Sequence, residues 1–190
     1  MISFMDGAED VVVAVPKIFN EDGSVQMLNK RQPCAFNQFA RRFLPKCIQN
    51  SPPIKNKMDH YIMLDKGYDQ SYEVPYMSGC FMLFRSEVFE KLKGFDEEFF
   101  MYMEDADISR RASDLGRCLF YPKASITHKW SRGSHKSLKL TWISIKSSLL
   151  YFKKWGLLLV DYTGAVLWYY APHMKDLLKF IVFGSIFLVP

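Results

Sequence analysis

The hydrophobic pattern changes period several times along the 190 residues. Val11-Val-Val-Ala-Val15 is an unbroken, mostly β-branched run that meets Pro16. It predicts a buried strand ending there, because a strand covered on both faces shows no polar alternation. Asn20-Glu-Asp-Gly-Ser24 predicts a turn, with Gly23 free to take positive φ. Residues 29–73 hold no sustained period and are interrupted by Pro33, Pro45, Pro52 and Pro53. One short helix around Phe36–Phe43 is expected there, inside a long excursion of the kind that forms lids and binding loops.

From Val74 onward the pattern sharpens. The apolar run Met77–Phe84 predicts a strand that begins at a close backbone approach around Ser78-Gly79-Cys80. Ser86 is placed to cap a short helix over Glu87–Lys93, with Val88, Phe89 and Leu92 inward and Gly94 as its stop. Phe99–Met103 reads as a further short strand. Asp105–Leu115 reads as a helix, since Ile108, Ala112 and Leu115 recur at i, i+4 and i+7 before Gly116. Strand character returns over Cys118–Tyr121 and Ala124–Thr127, and Leu138–Trp155 predicts an amphipathic basic helix. The apolar stretches Gly156–Pro172 and Leu177–Pro190 contain Asp161 and Lys179, and neither reaches the ~18 uninterrupted apolar residues of a default membrane span. Their aromatic residues and flanking lysines suit a membrane–water interface, and a core helix of a larger protein fits them equally.

Composition narrows the class. With 49% hydrophobic and 16% aromatic residues the chain is not disordered, and its length fits one domain with a real core. Cys34, Cys47, Cys80 and Cys118 form no C-x-x-C pair and read as reduced cytosolic thiols, neither a disulfide framework nor a zinc site. Met1–Asp10 has no basic flank and no apolar run, so no signal peptide is expected there. The net charge of +5 hides an asymmetry. Residues 1–122 carry 15 basic against 18 acidic side chains, and residues 123–190 carry 10 against 2. Such a basic block suits an anionic partner or a solvated helix face. Nucleic acid is not the expected partner, because the block has little aromatic interleaving beyond Trp130 and Trp142 and no recognition motif.

Candidate chemistry concentrates in Phe99-Phe-Met-Tyr-Met-Glu-Asp-Ala-Asp107. Glu104, Asp105 and Asp107 stand where a strand is expected to give way to a helix N-terminus, whose first N–H groups keep carboxylates ionised. A carboxylate fixed there is a candidate general base; plain capping, with Asp107 paired to Arg110 or Arg111, is the alternative. His128 follows the last strand and opens His-Lys-Trp-Ser-Arg-Gly-Ser-His135. Its imidazole is a candidate metal ligand or a hydrogen-bonded structural group, and Arg132 and Ser134 are candidates to hold phosphate oxygens.

Taken in order, Pro16-Lys-Ile with Asp22-Gly-Ser24, Ser78-Gly-Cys-Phe-Met-Leu-Phe-Arg85, Gly94-Phe-Asp-Glu97, the Glu104-Asp-Ala-Asp107 stretch, Gly116 and His128 resemble the C-terminal half of family-2 glycosyltransferases. Within that family they look most like the bacterial rhamnosyltransferases of cell-surface polysaccharide synthesis, such as O-antigen. The resemblance implies an α/β fold: an incomplete GT-A mixed sheet with flanking helices over residues 1–155, and an apolar helical tail over 156–190 that associates with membrane. It implies inverting transfer of a sugar, rhamnose by similarity, from a nucleotide-diphosphate donor to a lipid-linked or polysaccharide acceptor. Asp105, with Glu104 beside it, matches the position of the base. Ser78, Gly79 and Cys80 match the acceptor-lining segment, and His128 matches a ligand of a divalent cation, Mg²⁺ or Mn²⁺.

The family's N-terminal half, with its nucleotide pocket and Asp-x-Asp motif, has no counterpart here. Met1 falls roughly where that half ends, so a partner chain is expected to supply it if the chain is active. The cytoplasmic face of the membrane is the expected location, with peripheral attachment. A non-catalytic membrane-associated interaction module is the alternative.

Overall fold

The computed structural model describes residues 1–129, 137–160 and 166–169. Its helices are α1 (Ile2–Asp6), α2 (Ala35–Phe43), α3 (Lys46–Gln49), α4 (Pro52–Tyr61), α5 (Ser86–Leu92), α6 (Glu104–Ser113) and α7 (Leu138–Trp155). Strands β1 (Val11–Phe19), β2 (Tyr72–Glu73), β3 (Leu83–Phe84) and β4 (Arg117–Thr127) form one mixed sheet in the order β2-β4-β1-β3. The long central pair β1 and β4 is parallel, and the two short edge strands run antiparallel to their neighbours. The chain is therefore mixed α/β, with helices flanking a small mixed sheet.

Val11 through Val15 are all buried, as a strand covered on both faces requires. Burial of each such valine against the core contributes about 1.5 kcal/mol or more. The strand does not end at Pro16, however. Pro16 pairs with Tyr121, and the register then shifts so that Lys17 pairs with Ser125. Pro122 lies in the segment of β4 that this irregularity leaves out of register. Prolines are tolerated where the ladder is already broken, so both strands continue past theirs. Gly116 admits the start of β4: a Cβ there would collide with the Val12 side chain and lie 2.9 Å from the Asp10 carbonyl oxygen.

The excursion over residues 29–73 is more helical than its sequence suggests. Pro52 and Pro53 occupy the first turn of α4, where a missing N–H costs nothing, and Pro45 precedes α3. The prolines start helices there. Only Leu83–Phe84 of the expected strand Met77–Phe84 pairs in the sheet. The donors before it turn elsewhere: Met77 N–H bonds Ser109 Oγ at 3.1 Å and Gly79 N–H bonds Asp105 Oδ2 at 3.2 Å.

Phe99–Met103 is likewise no strand. Phe99 N–H closes a turn onto the Asp96 carbonyl, and Tyr102 and Met103 adopt positive φ of 69° and 68°. Its apolar side chains serve a different purpose. Phe99 and Met103 pack with Tyr76, Ala106 and Tyr151 in a core cluster between α6 and α7. In α5, Val88 is buried while Phe89, expected to face inward, is exposed, its ring tilted against Phe84 and edge-on to Phe95.

α7 has the expected bounds, capped by the Ser137 side chain and ended by Gly156 at φ 82°. The expected helical tail is replaced, over its first part, by a two-stranded antiparallel sheet of β5 (Leu157–Val160) and β6 (Val166–Tyr169). Gly156 breaks the helix, and the Val, Trp and Tyr of these runs favour extended backbone. Residues 170–190 of the tail lie outside the described residues. Among the described residues no helix is long and apolar enough to cross a membrane. All four cysteines are free thiols.

Candidate active site

Asp105 sits in the first turn of α6, just past the two left-handed residues. Non-glycine residues in that region are strained by a few kcal/mol at most, and such strain persists where packing fixes it. Here the buried Met103 side chain is held in the Tyr76–Tyr151 cluster. The Asp105 carboxylate is held by three donors. Oδ1 accepts the Tyr76 hydroxyl at 3.0 Å and the Ala106 N–H at 3.0 Å, and Oδ2 accepts the Gly79 N–H at 3.2 Å. A carboxylate oxygen has two lone-pair sites, so Oδ1 is filled and Oδ2 keeps one.

The turn Ser78-Gly79-Cys80 lies against this carboxylate. A Cβ on Gly79 would stand 3.3 Å from Asp105 Cβ, so glycine is what lets the turn approach so closely. Ser109 ties the two together, donating to the Asp105 carbonyl at 2.6 Å and accepting from Met77 N–H. The structure thus brings Asp105, Glu104 and the 78–80 turn to one place. Burial pushes the Cys80 thiol up, which keeps it protonated, and Ser78 also lines a small cavity shared with Gln26, Asn29 and Tyr68.

The three acidic residues divide their roles. Glu104 departs from the expectation that the helix N-terminus would keep it ionised: burial, then the Asp105 charge, raise its pKa. One of its carboxyl oxygens, Oε2, is buried without a hydrogen-bond partner among the described residues. Asp107 is fully buried and fully engaged, by Arg111 Nε at 2.8 Å, Trp155 Nε1 at 2.8 Å and Lys154 Nζ at 2.9 Å. Arg111 also donates to the Leu92 and Gly94 carbonyls, so Asp107 locks α6 to the end of α5 and to α7. That is the structural pairing with Arg111 weighed from the sequence.

Two neighbours of Asp105 escaped the sequence reading. Tyr76 supplies its hydroxyl, and Lys30 pairs with Tyr76 across an isolated antiparallel bridge. Neither lies in a motif. Locally Lys30 lies between Asn29 and Arg31, and Tyr76 between Pro75 and Met77, contexts that carry no signal of a site.

His128 stands just beyond β4, its N–H bonded to the Phe19 carbonyl at 2.9 Å. Gln26 Nε2 donates to the His128 carbonyl at 2.5 Å and toward Phe19 O, which turns Gln26 Oε1 to His128 Nδ1 at 3.4 Å. A proton on Nδ1 would suit that contact and leave Nε2 as the acceptor, the form a metal ligand takes. Yet no three His, Cys, Asp or Glu side chains gather as a metal site among the described residues. The described residues therefore offer a divalent cation at most a partial donor set, with His128 as its candidate member. Arg132 and Ser134 lie outside the described residues.

No protein-family model matches the chain, and no solved structure matches it. Two curated proteins do match. Both are N-acetylglucosaminyl-diphospho-decaprenol L-rhamnosyltransferases of Mycobacterium tuberculosis, from strains CDC 1551 / Oshkosh and ATCC 25618 / H37Rv. Each is 41% identical over 56 residues, which is 29% of this chain and 18% of the relative. The match thus spans less than a fifth of the relatives' length. Part of this chain is similar to a rhamnosyltransferase.

Proposed function

We propose that this chain is the acceptor-side, base-bearing portion of an inverting glycosyltransferase of family 2 and GT-A type, with Asp105 as the general base. The observation that carries the reading is the Asp105 carboxylate, oriented by Tyr76, Gly79 and Ala106 with one acceptor site left on Oδ2. The partial similarity to a rhamnosyltransferase supports the same class and suggests rhamnose as the sugar.

In this reading an acceptor hydroxyl lies against the 78–80 turn and gives its proton to Asp105 Oδ2. The hydroxyl oxygen forms a bond to the anomeric carbon as that carbon's bond to the donor phosphate breaks. The leaving nucleoside diphosphate takes the electron pair, and the configuration inverts. Burial and the neighbouring Asp105 charge raise the Glu104 pKa, so a second negative charge beside the base is disfavoured. Mg²⁺ or Mn²⁺ is the cation this class implies; when bound it would supply positive charge for the departing diphosphate, and His128 is the residue of this chain that would help hold it. A lipid-linked acceptor such as an N-acetylglucosaminyl diphospho-prenol suits this class. Peripheral attachment to the cytoplasmic membrane face is supported by exposed Phe39 and Phe43 on α2 and Trp142 on α7, all among basic residues. The same patch supports the second reading, a non-catalytic membrane-associated module.

The test is sugar transfer by the chain, alone and with a nucleotide-binding partner half, comparing Asp105→Asn with the unaltered protein. Asparagine keeps size and hydrogen bonding but takes no proton, so turnover falls about 10²–10⁴-fold. Undiminished transfer in Asp105→Asn removes the base assignment, and absence of transfer under every condition leaves the membrane module.

A further inference from the structure

Lys30 is the buried lysine among the described residues, with 8% of its surface exposed. Its backbone is fixed by reciprocal bonds with Tyr76, Lys30 N–H to Tyr76 O at 3.1 Å and Tyr76 N–H to Lys30 O at 3.0 Å. The side chain lies along the Tyr76 ring, with Nζ 4.2 Å from the ring centre. The hydroxyl at the other end of that ring is the one that holds Asp105.

No hydrogen bond or ion pair engages the Lys30 ammonium among the described residues; the ring face is its contact. Asp105 provides opposite charge nearby but does not bond it, and Arg41 adds a second positive charge. Arg41 itself rests over the Tyr61 ring, 5.8 Å from its centre. A desolvated ammonium with unfilled donors is costly and is usually paired. Burial lowers its pKa to about 8, against the pull of Asp105, so most of it remains charged at neutral pH. The cation is thus kept, unpaired, beside the candidate base.

We propose that Lys30, backed by Arg41, is a seat for a phosphate oxygen of a diphosphate-bearing substrate. The ammonium supplies strong donors to an anionic oxygen where the described residues supply no competing acceptor. The Tyr76 ring supports the cation through its π face and links the seat to Asp105, so that anion binding and proton acceptance occur at adjoining points. The inference deepens the glycosyl-transfer reading and rests on it for the identity of the ligand. Both a nucleoside diphosphate donor and a prenyl diphosphate acceptor carry this chemistry.

The experiment titrates the full chain with inorganic pyrophosphate by calorimetry, in chelator so that no metal bridges the anion. Lys30→Met is expected to weaken binding about tenfold or more, the size of one lost charge-assisted hydrogen bond. In the unaltered chain, pyrophosphate is expected to slow acylation of the Lys30 amine, a readout that needs no variant. Repeating the titration with a nucleoside diphosphate and with a short prenyl diphosphate identifies the source, as the ligand whose affinity depends on Lys30. Equal affinity in both proteins overturns the seat, as does the absence of both binding and protection. Lys30-dependent binding together with transfer that survives Asp105→Asn keeps the seat and removes the base assignment. Binding indifferent to Lys30 with transfer lost in Asp105→Asn removes the seat alone.

Discussion

A lysine retained in the interior for binding should weaken the fold, and the size of that cost follows from its surroundings. The lowering of the Lys30 pKa from 10.5 to about 8 corresponds to a penalty of about 3 kcal/mol on the charged form in the folded chain. Lys30→Met keeps the length and apolar stem of the side chain and removes the charge. It also gives up the attraction to the Tyr76 face, about 0.5–2 kcal/mol. The variant is therefore expected to be more stable at neutral pH by about 1–3 kcal/mol, the usual direction when a functional residue is replaced by a packing one.

The pH dependence fixes the cause. Below about pH 8 the lysine is protonated in both folded and unfolded chains, and the full penalty applies. Between about 8 and 10.5 the unfolded chain binds more protons, so the unaltered protein gains stability as pH rises. The advantage of Lys30→Met should shrink over the same window. Urea denaturation of both proteins at neutral pH and near pH 10, compared as differences, cancels the other titrating groups. A variant no more stable than the parent at neutral pH, or an advantage that does not change with pH, refutes the reasoning.

Asp107→Ala should destabilise the chain by about 3–5 kcal/mol in denaturant titration, because it leaves the cations of Arg111 and Lys154 facing an empty buried site. Gly79→Ala should fold with nearly unchanged stability but lower transfer, since the added methyl presses on Asp105 Cβ at 3.3 Å and displaces the turn; activity and melting temperature measured together separate the two effects. Replacing Phe39 and Trp142, 54% and 60% exposed, by serine should reduce binding to anionic lipid vesicles in flotation; unchanged flotation removes that face as the contact surface.

The central strand, the α6 stripe of Ile108 and Ala112 and the bounds of α7 were legible in the sequence. Each follows from a local period or a local stop, and burial only completes what the pattern begins. The candidate base was legible too, because Glu104, Asp105 and Asp107 are crowded into one short segment. The Asp107–Arg111 pairing was among the readings too, but the burial and remaining partners of each carboxylate were not legible. Asp107 is consumed by Arg111, Lys154 and Trp155, Glu104 loses its solvent and keeps Oε2 unpartnered among the described residues, and Asp105 is oriented by three donors with one site on Oδ2 open, and each outcome depends on the folded surroundings. The apolar segments Met77–Met82 and Phe99–Met103 read as strands because apolar content signals burial without saying which backbone carries it. Tertiary structure gave their N–H groups to α6 side chains or bent them through positive φ. Lys30 lies farthest from any motif, 75 positions before Asp105 in the chain. Its meaning comes from desolvation and from the Tyr76 ring between them, which are properties of a folded neighbourhood and have no signature along the chain.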